Sequence, residues 1–441
     1  MKIYYYLIIF FLFINCSFDN KSGIWENQNT ASKKSKDQFS QFKDISSTKE
    51  AFDKIIDIDK KFVFKTSNIV KSKSWTDKNY NEANELKNFY YNDRNKLLSK
   101  SKKISRFDLN EYFLVEENNF IVSDKKGNLI IGSLDGDKRK IKFNFYKKKF
   151  KNKAKILYKI IENNIIYVSD NLGYLYAYNY IDNNLLWAKN YKIPFRSNLK
   201  IANNKLIGIN QNNEMLIFDK KNGEKINSIP TEEVVLKNNF LSNISLSKDN
   251  IFFLNTFGSL YSINLKSMQI DWFLNLNQSM DPDDNYLFDG TELIYKNEKL
   301  IVLTNDFTYI IDSLTGGIIY KINFSSSINP IIINNYLFTI TKNDLLIAFD
   351  IDLGKIIYSY NINQLVSNFT NTKKKNIEIK YLIQANNKLL IFLKNSYIIK
   401  VNLYGEISKI DKLPSKITSN PIIIKGSILY INNNNKVSIV D

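Results

Sequence analysis

Residues 163–187 read NNIIYVSDNLGYLYAYNYIDNNLLW and contain two apolar runs separated by turn residues. Asn163-Asn164 precedes the first run, and Gly173 separates it from the second run, Tyr174 to Tyr178. Two-residue hairpin turns need positive φ, which asparagine and glycine adopt at low steric cost. The stretch therefore predicts an antiparallel hairpin, followed after a further turn by a third strand at Leu185-Leu186-Trp187.

This pattern occurs eight times, about every 44 residues, and such a period marks one supersecondary unit copied along the chain. Eight small sheets can bury their faces by packing side by side around an axis. The sequence therefore predicts an all-β chain that forms an eight-bladed β-propeller of four-stranded antiparallel blades. The first turns are Asn118-Asn119, Asn163-Asn164, Asn203-Asn204, Asp249-Asn250, Asn297-Glu298, Asn334-Asn335, Asn386-Asn387 and Lys425-Gly426. The second turns are at Gly127, Gly173, Asn213, Gly258, Asp306, Asn343, Asn395 and Asn435.

A third turn carries a spacing of its own. An Asp or Asn is followed at +4 by a turn residue and at +8 by an aromatic side chain. A carboxylate can bond the turn amides, a glycine adopts the positive φ, and a large ring can pack between adjacent blades. We therefore predict a structural role in blade docking for this motif. It occurs as Asn179/Asn183/Trp187, Asn264/Met268/Trp272, Asp312/Gly316/Tyr320 and Asp350/Gly354/Tyr358.

The chain ends inside the eighth repeat, which shows only three strands, at about 419–424, 427–431 and 436–440. A blade needs four strands, and an open ring would leave edges that can pair with other chains. We predict that the missing outer strand comes from near the N-terminus, from Phe62-Val63-Phe64-Lys65 through Trp75, and closes the ring.

The N-terminus resembles a bacterial lipoprotein signal. Lys2 precedes twelve apolar residues, too few to cross a bilayer, and the single cysteine, Cys16, follows where the run ends. The resemblance implies a signal peptide over 1–15 and lipidation of Cys16, and Ser17 after the cysteine favours the outer membrane. An ordinary signal peptide or an uncleaved anchor is the alternative. Residues 16–59 are polar and predict a tether, which leaves the propeller at 60–441.

The amino-acid composition excludes several kinds of catalytic and metal-binding site. Histidine is absent, which excludes the serine triad and imidazole metal sites, and one cysteine allows neither a disulfide nor a thiolate zinc cluster. The net charge of +18 comes from lysines spread through strands and turns. We therefore predict no nucleic-acid partner, although basic proteins often bind polyanions.

The Asp-x-x-x-Gly-x-x-x-aromatic turn resembles the pyrroloquinoline-quinone-type (PQQ-like) propeller repeat. Together with a lipoprotein signal, a polar tether, eight blades and a chain that ends inside the eighth, the layout resembles the BamB family of outer-membrane protein assembly factors. This resemblance implies a non-catalytic scaffold on the periplasmic face of the outer membrane, without a cofactor or a metal. It also implies the BamA-like barrel insertase of the BAM complex as partner, and unfolded outer-membrane proteins as possible substrates.

The longest insertion lies between the fourth and fifth repeats, at 278–290. It is acidic and partly apolar within a basic chain, which suits a protein partner with a basic contact surface. A solvated connector or a calcium site on the aspartates is the alternative. The predicted partner-binding residues are Asp281, Asp283, Asp284, Tyr286, Phe288 and Asp289.

Two enzymatic functions remain open. A carbohydrate-binding or glycosidase propeller would need only two carboxylates, of which the chain has many. A quinoprotein dehydrogenase is implied by the repeat type, and such enzymes hold the quinone over calcium and, in many members, against a disulfide of adjacent cysteines. This chain has no pair of cysteines.

Overall fold

The computed structural model describes residues 16–18, 25–27, 51–135, 140–147, 150, 152–232, 239–277, 288–373 and 375–441. The chain divides into two compact units, Met1–Lys43 and Asp44–Asp441. The first unit contains a two-stranded antiparallel sheet of β1 (Cys16–Phe18) and β2 (Trp25–Asn27). In the described part of the chain, no helix is long and apolar enough to span a bilayer.

The second unit contains eight antiparallel sheets, the blades, and the strands of blades 1 to 7 pair in chain order. Before the first blade come β3 (Ile69–Val70), β4 (Asn88–Phe89) and β5 (Leu97–Lys100). Blade 1 has β6 (Leu114–Glu116), β7 (Asn119–Ser123), β8 (Asn128–Ser133) and β9 (Lys140–Asn144); blade 2 has β10 (Leu157–Glu162), β11 (Ile165–Asp170), β12 (Tyr174–Asn179) and β13 (Asn184–Asn190); blade 3 has β14 (Lys200–Ala202), β15 (Lys205–Ile209), β16 (Met215–Asp219) and β17 (Lys225–Ile229); blade 4 has β18 (Asn243–Leu246), β19 (Asn250–Leu254), β20 (Ser259–Asn264) and β21 (Ile270–Asn275). Blade 5 has β22 (Ile294–Lys296), β23 (Lys299–Leu303), β24 (Thr308–Asp312) and β25 (Ile318–Ile322); blade 6 has β26 (Ile331–Ile333), β27 (Tyr336–Ile340), β28 (Leu345–Asp350) and β29 (Lys355–Asn361); blade 7 has β30 (Ile379–Ala385), β31 (Lys388–Leu393), β32 (Tyr397–Asn402) and β33 (Ile407–Lys412); blade 8 has β34 (Ile422–Ile424), β35 (Ser427–Ile431) and β36 (Val437–Val440).

These blades confirm the predicted eight-bladed fold. Most first turns lie between the first and second strands of a blade; Asn163 and Asn164, for example, have φ of 51° and 65°. Asn119 and Asn250 instead begin the strand that follows the turn. All eight second turns lie between the second and third strands.

The middle strands of each blade are buried on both sides. In the fourth strand, exposed residues alternate with partly buried ones, as in β9. The fourth strand is therefore the outer one, and the first is the inner one. Buried apolar clusters join neighbouring blades: one cluster, for example, spans blades 2 and 3, and another spans blades 7, 8, 1 and 2. The core therefore lies between the blades, where each sheet covers the next.

The predicted source of the last outer strand is wrong. β5 (Leu97–Lys100) pairs with β36 and completes blade 8, with Ile439 opposite Ser99. The region from Phe62 to Trp75 lies elsewhere: Phe64 packs on Tyr336 of blade 6. The physical reason is that the aromatic rings of this region bury more apolar area in the core than they would in the outer strand of a blade, where only one face is covered. The N-terminal region does supply the closing strand, but from residues further along the chain.

One helix, α1 (Ile362–Thr370), lies in the connection between blades 6 and 7. The Asn361 side chain caps it by accepting a hydrogen bond from the Gln364 amide, and Asn371 ends it with φ of 51°. We call the side with the turns from first to second and from third to fourth strands the AB face. The opposite side, with α1 and the other connections between blades, is the BC face.

Candidate functional site

The axis of the propeller is crossed by the segment from Phe64 to Asn92, which we call the axial segment. It bonds to the inner strand, or to the turn after it, in every blade. A single stretch that bonds to the inner strand or to the turn after it in all eight blades lies across the axis, on the AB face. The bonds are Lys425 N to Ser72 O (2.8 Å), Trp75 N to Val115 O (2.6 Å), Ile161 N to Thr76 O (3.0 Å), Lys200 Nζ to Asn81 O (2.9 Å), Leu246 N to Glu82 O (3.0 Å), Tyr295 N to Ala83 O (3.0 Å), Asn386 N to Phe89 O (3.0 Å) and Asn334 Nδ2 to Lys65 O (2.6 Å).

Aromatic side chains fix the axial segment in place. Trp75 and Phe89 are fully buried, and their ring centroids lie 5.2 Å apart. Tyr80 packs edge-on against both rings. β4, which contains Phe89, also extends the sheet of blade 7 beyond its inner strand β30. Burial of this much apolar area makes the segment part of the core.

A buried polar network joins the axial segment to blades 3, 4 and 5. Lys200 Nζ lies 2.7 Å from Asp77 Oδ2 and 2.6 Å from Asn84 Oδ1, and both members of the ion pair are almost fully buried. Asn84 Nδ2 donates to the carbonyls of Ile244 (2.9 Å) and Leu293 (2.8 Å). Buried charges of this kind are tolerated only when paired and hydrogen-bonded, which they are here.

A second buried amine lies between blades 1 and 2. Lys159 Nζ donates to Ser123 Oγ at 2.7 Å and lies 4.1 Å from the centre of the Tyr112 ring. Burial lowers the pKa of the Lys159 amine to about 7 and raises the pKa of the Tyr112 hydroxyl. The contacts of this amine are with side chains of the blades themselves, so we assign it to blade packing.

The described residues near the axis do not fit the quinone and calcium site that the repeat type implies. The axial segment with Trp75, Phe89 and the Lys200–Asp77 pair fills the AB side of the axis. Among the described residues, no three side chains of Asp, Glu, His or Cys converge as metal ligands. The chain also has no second cysteine to form a disulfide.

The structure describes only two of the six predicted partner-binding residues, Phe288 and Asp289. Asp281, Asp283, Asp284 and Tyr286 lie outside the described residues, and so does any calcium site on these aspartates. The prediction for Phe288 needs correction: the side chain is 4% exposed and packs edge-on against Phe240 at 5.1 Å, so it belongs to the core. Asp289 is exposed, and its backbone amide donates to Asn305 Oδ1 at 2.6 Å. Only the acidic end of the insertion therefore faces solvent among the residues described.

The rings of the repeat motif lie against the third turn of the next blade. The Trp187 indole covers Gly223 of blade 3 and donates to the Lys220 carbonyl at 3.2 Å. Tyr320 covers Gly354 of blade 6 in the same way. These glycines have positive φ, and a Cβ atom at Gly354 would lie 2.3 Å from the ring.

Two further interfaces follow this plan with variations. Trp272 covers Gly316 of blade 5 and donates to the Ser313 carbonyl at 3.1 Å. In blade 6 the ring nearest to Gly405 of blade 7 is that of Tyr360, and the fully buried Tyr358 stacks on Tyr360 at 4.8 Å. The glycine-ring contact thus recurs along the ring of blades.

Three consecutive blades expose an apolar side chain on the AB face, at equivalent third turns. We call Leu314, Leu353 and Tyr404 the apolar row; their exposed fractions are 67%, 73% and 37%. Val63, at the entry to the axial segment, is 73% exposed. Exposed apolar side chains repeated on one face of neighbouring blades are candidates for a surface that binds a protein or a membrane.

Sequence reasoning missed the axial segment, because hydrogen bonds made to eight different blades leave no periodic pattern. The one available signal was the presence of Trp75, Phe89 and Tyr91 among polar residues, since such rings are seldom left in solvent.

Comparison with known proteins identifies the fold alone. No family model and no curated protein matches the chain. Among solved structures, BamB from Moraxella catarrhalis is similar with a TM-score of 0.62 at 11% identity, covering 79% of this chain and 99% of that one. A europium-containing methanol dehydrogenase has a TM-score of 0.57 at 12% identity, covering 83% and 89%. Quinohemoprotein alcohol dehydrogenase ADHIIG from Pseudomonas putida HK5 has 0.58 at 10% identity, covering 82% and 76%. The chain therefore has the propeller fold that BamB shares with quinoprotein dehydrogenases.

Proposed function

We propose that this protein is a non-catalytic scaffold of the outer-membrane β-barrel assembly machinery. In this role it binds the periplasmic part of a BamA-like insertase and assists the insertion of outer-membrane proteins. The observation that carries the proposal is the axial segment, because a propeller whose axis is filled by its own chain offers its outer surfaces for function. The shared fold with BamB supports this proposal, and the axial segment, which covers the AB side of the axis, favours binding on the outer surfaces.

The proposed site of action is the periplasmic face of the outer membrane. A lipid on Cys16 would hold the propeller there through the predicted tether, residues 16–59, in whose described part Phe52 and Ile56 bond to Asn323 and to Ser359 of blade 6. Anchoring raises the local concentration of the propeller near other membrane components, so modest contacts are sufficient for binding.

Two surfaces are proposed for the insertase. The acidic insertion, with Asp281, Asp283, Asp284 and Tyr286, offers charge to a basic partner surface, and Asp289 extends it. The apolar row offers apolar area on the AB face. An acidic patch and a separate apolar patch are both common parts of specific interfaces.

The test is a pull-down of the lipidated protein from solubilised outer membranes. We expect recovery of the insertase with the wild-type chain and a loss of recovery when Asp281, Asp283 and Asp284 are all changed to lysine. A second variant, Leu353→Lys, tests the apolar row. Its matched control is Leu185→Lys, on the outer strand of blade 2, where the leucine is 40% exposed.

The proposal fails if the wild-type chain does not recover the insertase, or if both surfaces can be changed without effect. Dye-linked oxidase activity after titration with pyrroloquinoline quinone would favour the enzymatic alternative instead.

A further inference from the structure

The aromatic ring at the +8 position of the repeat motif, which we call the docking ring, occupies the same place in the outer strands of four blades. In blades 2, 4, 5 and 6 it lies directly after the bulge residue at which the register of the outer strand shifts against the third strand. Blade 8 has the same shift, between Ile439 and Val440, and the residue opposite Ile439 is Ser99. Blade 8 therefore places a serine where blades 2, 4, 5 and 6 place an aromatic ring, whereas blades 3 and 7 place Asn227 and Lys409 there. The equivalent pairs are Ala177 with Trp187, Ser262 with Trp272, Ile310 with Tyr320 and Ala348 with Tyr358.

A cavity of about 330 Å³ lies at this place, between blade 8 and blade 1. We call it the seam pocket. Its apolar walls are Leu98, Leu134, Ile424 and Ile439, and Ser99 also lines it. No aromatic residue is among the described residues that line it. The cavity is at the lower end of the volume range of small-ligand pockets.

Blade 1 repeats at this pocket one backbone hydrogen bond of the turn that receives the ring of Trp187, while residues 136–139 of its third turn lie outside the described residues. Leu134 N donates to Asn118 O at 2.8 Å, as Lys220 N does to Asn204 O at 3.0 Å. Leu134 thus holds the position of Lys220, whose carbonyl accepts the indole N–H of Trp187. An indole that enters the seam pocket can donate to the Leu134 carbonyl in the same way.

Lysines outnumber carboxylates among the described residues in and next to the lining of the pocket. Lys425 lines it, and its Nζ bonds to Asn118 Oδ1. Lys96 and Lys100 flank the lining residues Leu98 and Ser99 in the chain and are exposed, and Asp135 is the only acidic side chain among the described residues that line the pocket. Acidic residues beside an inserted ring would therefore be attracted to these lysines.

We infer that the seam pocket binds an aromatic side chain, tryptophan in particular, presented by an acidic peptide segment of a protein partner. The ring takes the place that Trp187 and Trp272 take at other interfaces, with its N–H on the Leu134 carbonyl and its face on the leucine and isoleucine walls. Carboxylates beside it meet Lys100 and Lys425. This inference goes beyond the assembly role and does not depend on it.

The experiment uses the intact propeller and a fluorescently labelled acidic peptide with one central tryptophan, followed by anisotropy. A peptide with alanine at that position is the ligand control. We expect saturable binding of the tryptophan peptide and at least about tenfold weaker binding of the alanine peptide, since a buried aromatic anchor dominates such contacts.

The variant Ser99→Trp places a ring in the pocket from within the chain. We expect it to weaken peptide binding at least about tenfold, and to raise the melting temperature, because the pocket is then filled. Ser408→Trp, on the exposed outer strand β33 of blade 7, is the matched control and keeps wild-type binding. Leu134→Glu gives an independent test, since a carboxylate in the apolar wall repels both ring and acidic flanks.

The inference is overturned by any of three results. The first is no saturable binding up to about 1 mM peptide. The second is equal binding of the tryptophan and alanine peptides, and the third is unchanged binding by the folded variants Ser99→Trp and Leu134→Glu. Pull-down of the insertase can succeed or fail independently of these results.

Discussion

Replacing Lys200 by methionine removes the cation that ties the axial segment to blade 3. The side chains of Lys200 and Asp77 are 2% and 6% exposed, so the change leaves the Asp77 carboxylate buried without its cation. Breaking a buried pair in this way costs about 3–5 kcal/mol. With a urea m value of about 3 kcal/mol/M or more, the unfolding midpoint falls by up to about 1.7 M.

The exposed pair Lys125–Asp108 is the matched control, with an Nζ–Oδ2 distance of 3.0 Å and side chains 58% and 77% exposed. Exposed pairs contribute only about 0–1 kcal/mol, so Lys125→Met should leave the midpoint nearly unchanged. The assay is urea unfolding followed by circular dichroism, together with limited trypsin digestion at the lysines of the axial segment. We expect faster cleavage there in Lys200→Met than in Lys125→Met.

A double variant tests whether the loss of stability comes from the unpaired Asp77 carboxylate. Lys200→Met with Asp77→Leu removes both charges and should recover much of the lost stability, because replacing a whole buried pair by apolar side chains is often neutral. If Lys200→Met unfolds at the wild-type urea concentration and resists trypsin equally, the pair does not hold the axial segment, and our account of the filled axis is incorrect.

Three further predictions concern single residues. Gly316→Ala should cost about 2–4 kcal/mol in urea unfolding, because φ is +73° and the new Cβ would lie 2.6 Å from an indole carbon; the adjacent Gly317→Ala, with a nearest contact of 3.3 Å, should be close to neutral. Phe288→Ala should cost about 3–5 kcal/mol, whereas Asp289→Asn should change the melting temperature little, and equal effects in calorimetry would contradict the assigned burial. Burial lowers the pKa of Lys159 from 10.5 to about 7, so between about pH 7 and about pH 9 the unfolded chain binds a proton that the folded chain releases. The free energy of unfolding should therefore rise with pH in this window and rise less in Lys159→Met, and equal slopes in urea titrations would count against a buried amine.

The amino-acid sequence alone was sufficient to predict the blades. Turn positions such as Asn163-Asn164 and Gly173 can be predicted locally, because the residue type decides how easily the backbone adopts a positive φ. The spacing from Asp350 to Gly354 is also local, since the aspartate bonds the amides of its own turn. Repetition of these local signals predicted the blade number and the docking positions.

Only the tertiary structure decided which N-terminal residues cross the axis and which complete blade 8. β5 is covered on one side, so Leu97 and Leu98 remain exposed and carry no alternating pattern. The axial segment gains its stability from bonds to eight different blades, and Phe288 from Phe240 across a blade interface. Such contacts join residues far apart in the chain, and their partners become neighbours only when the blades have packed around the axis.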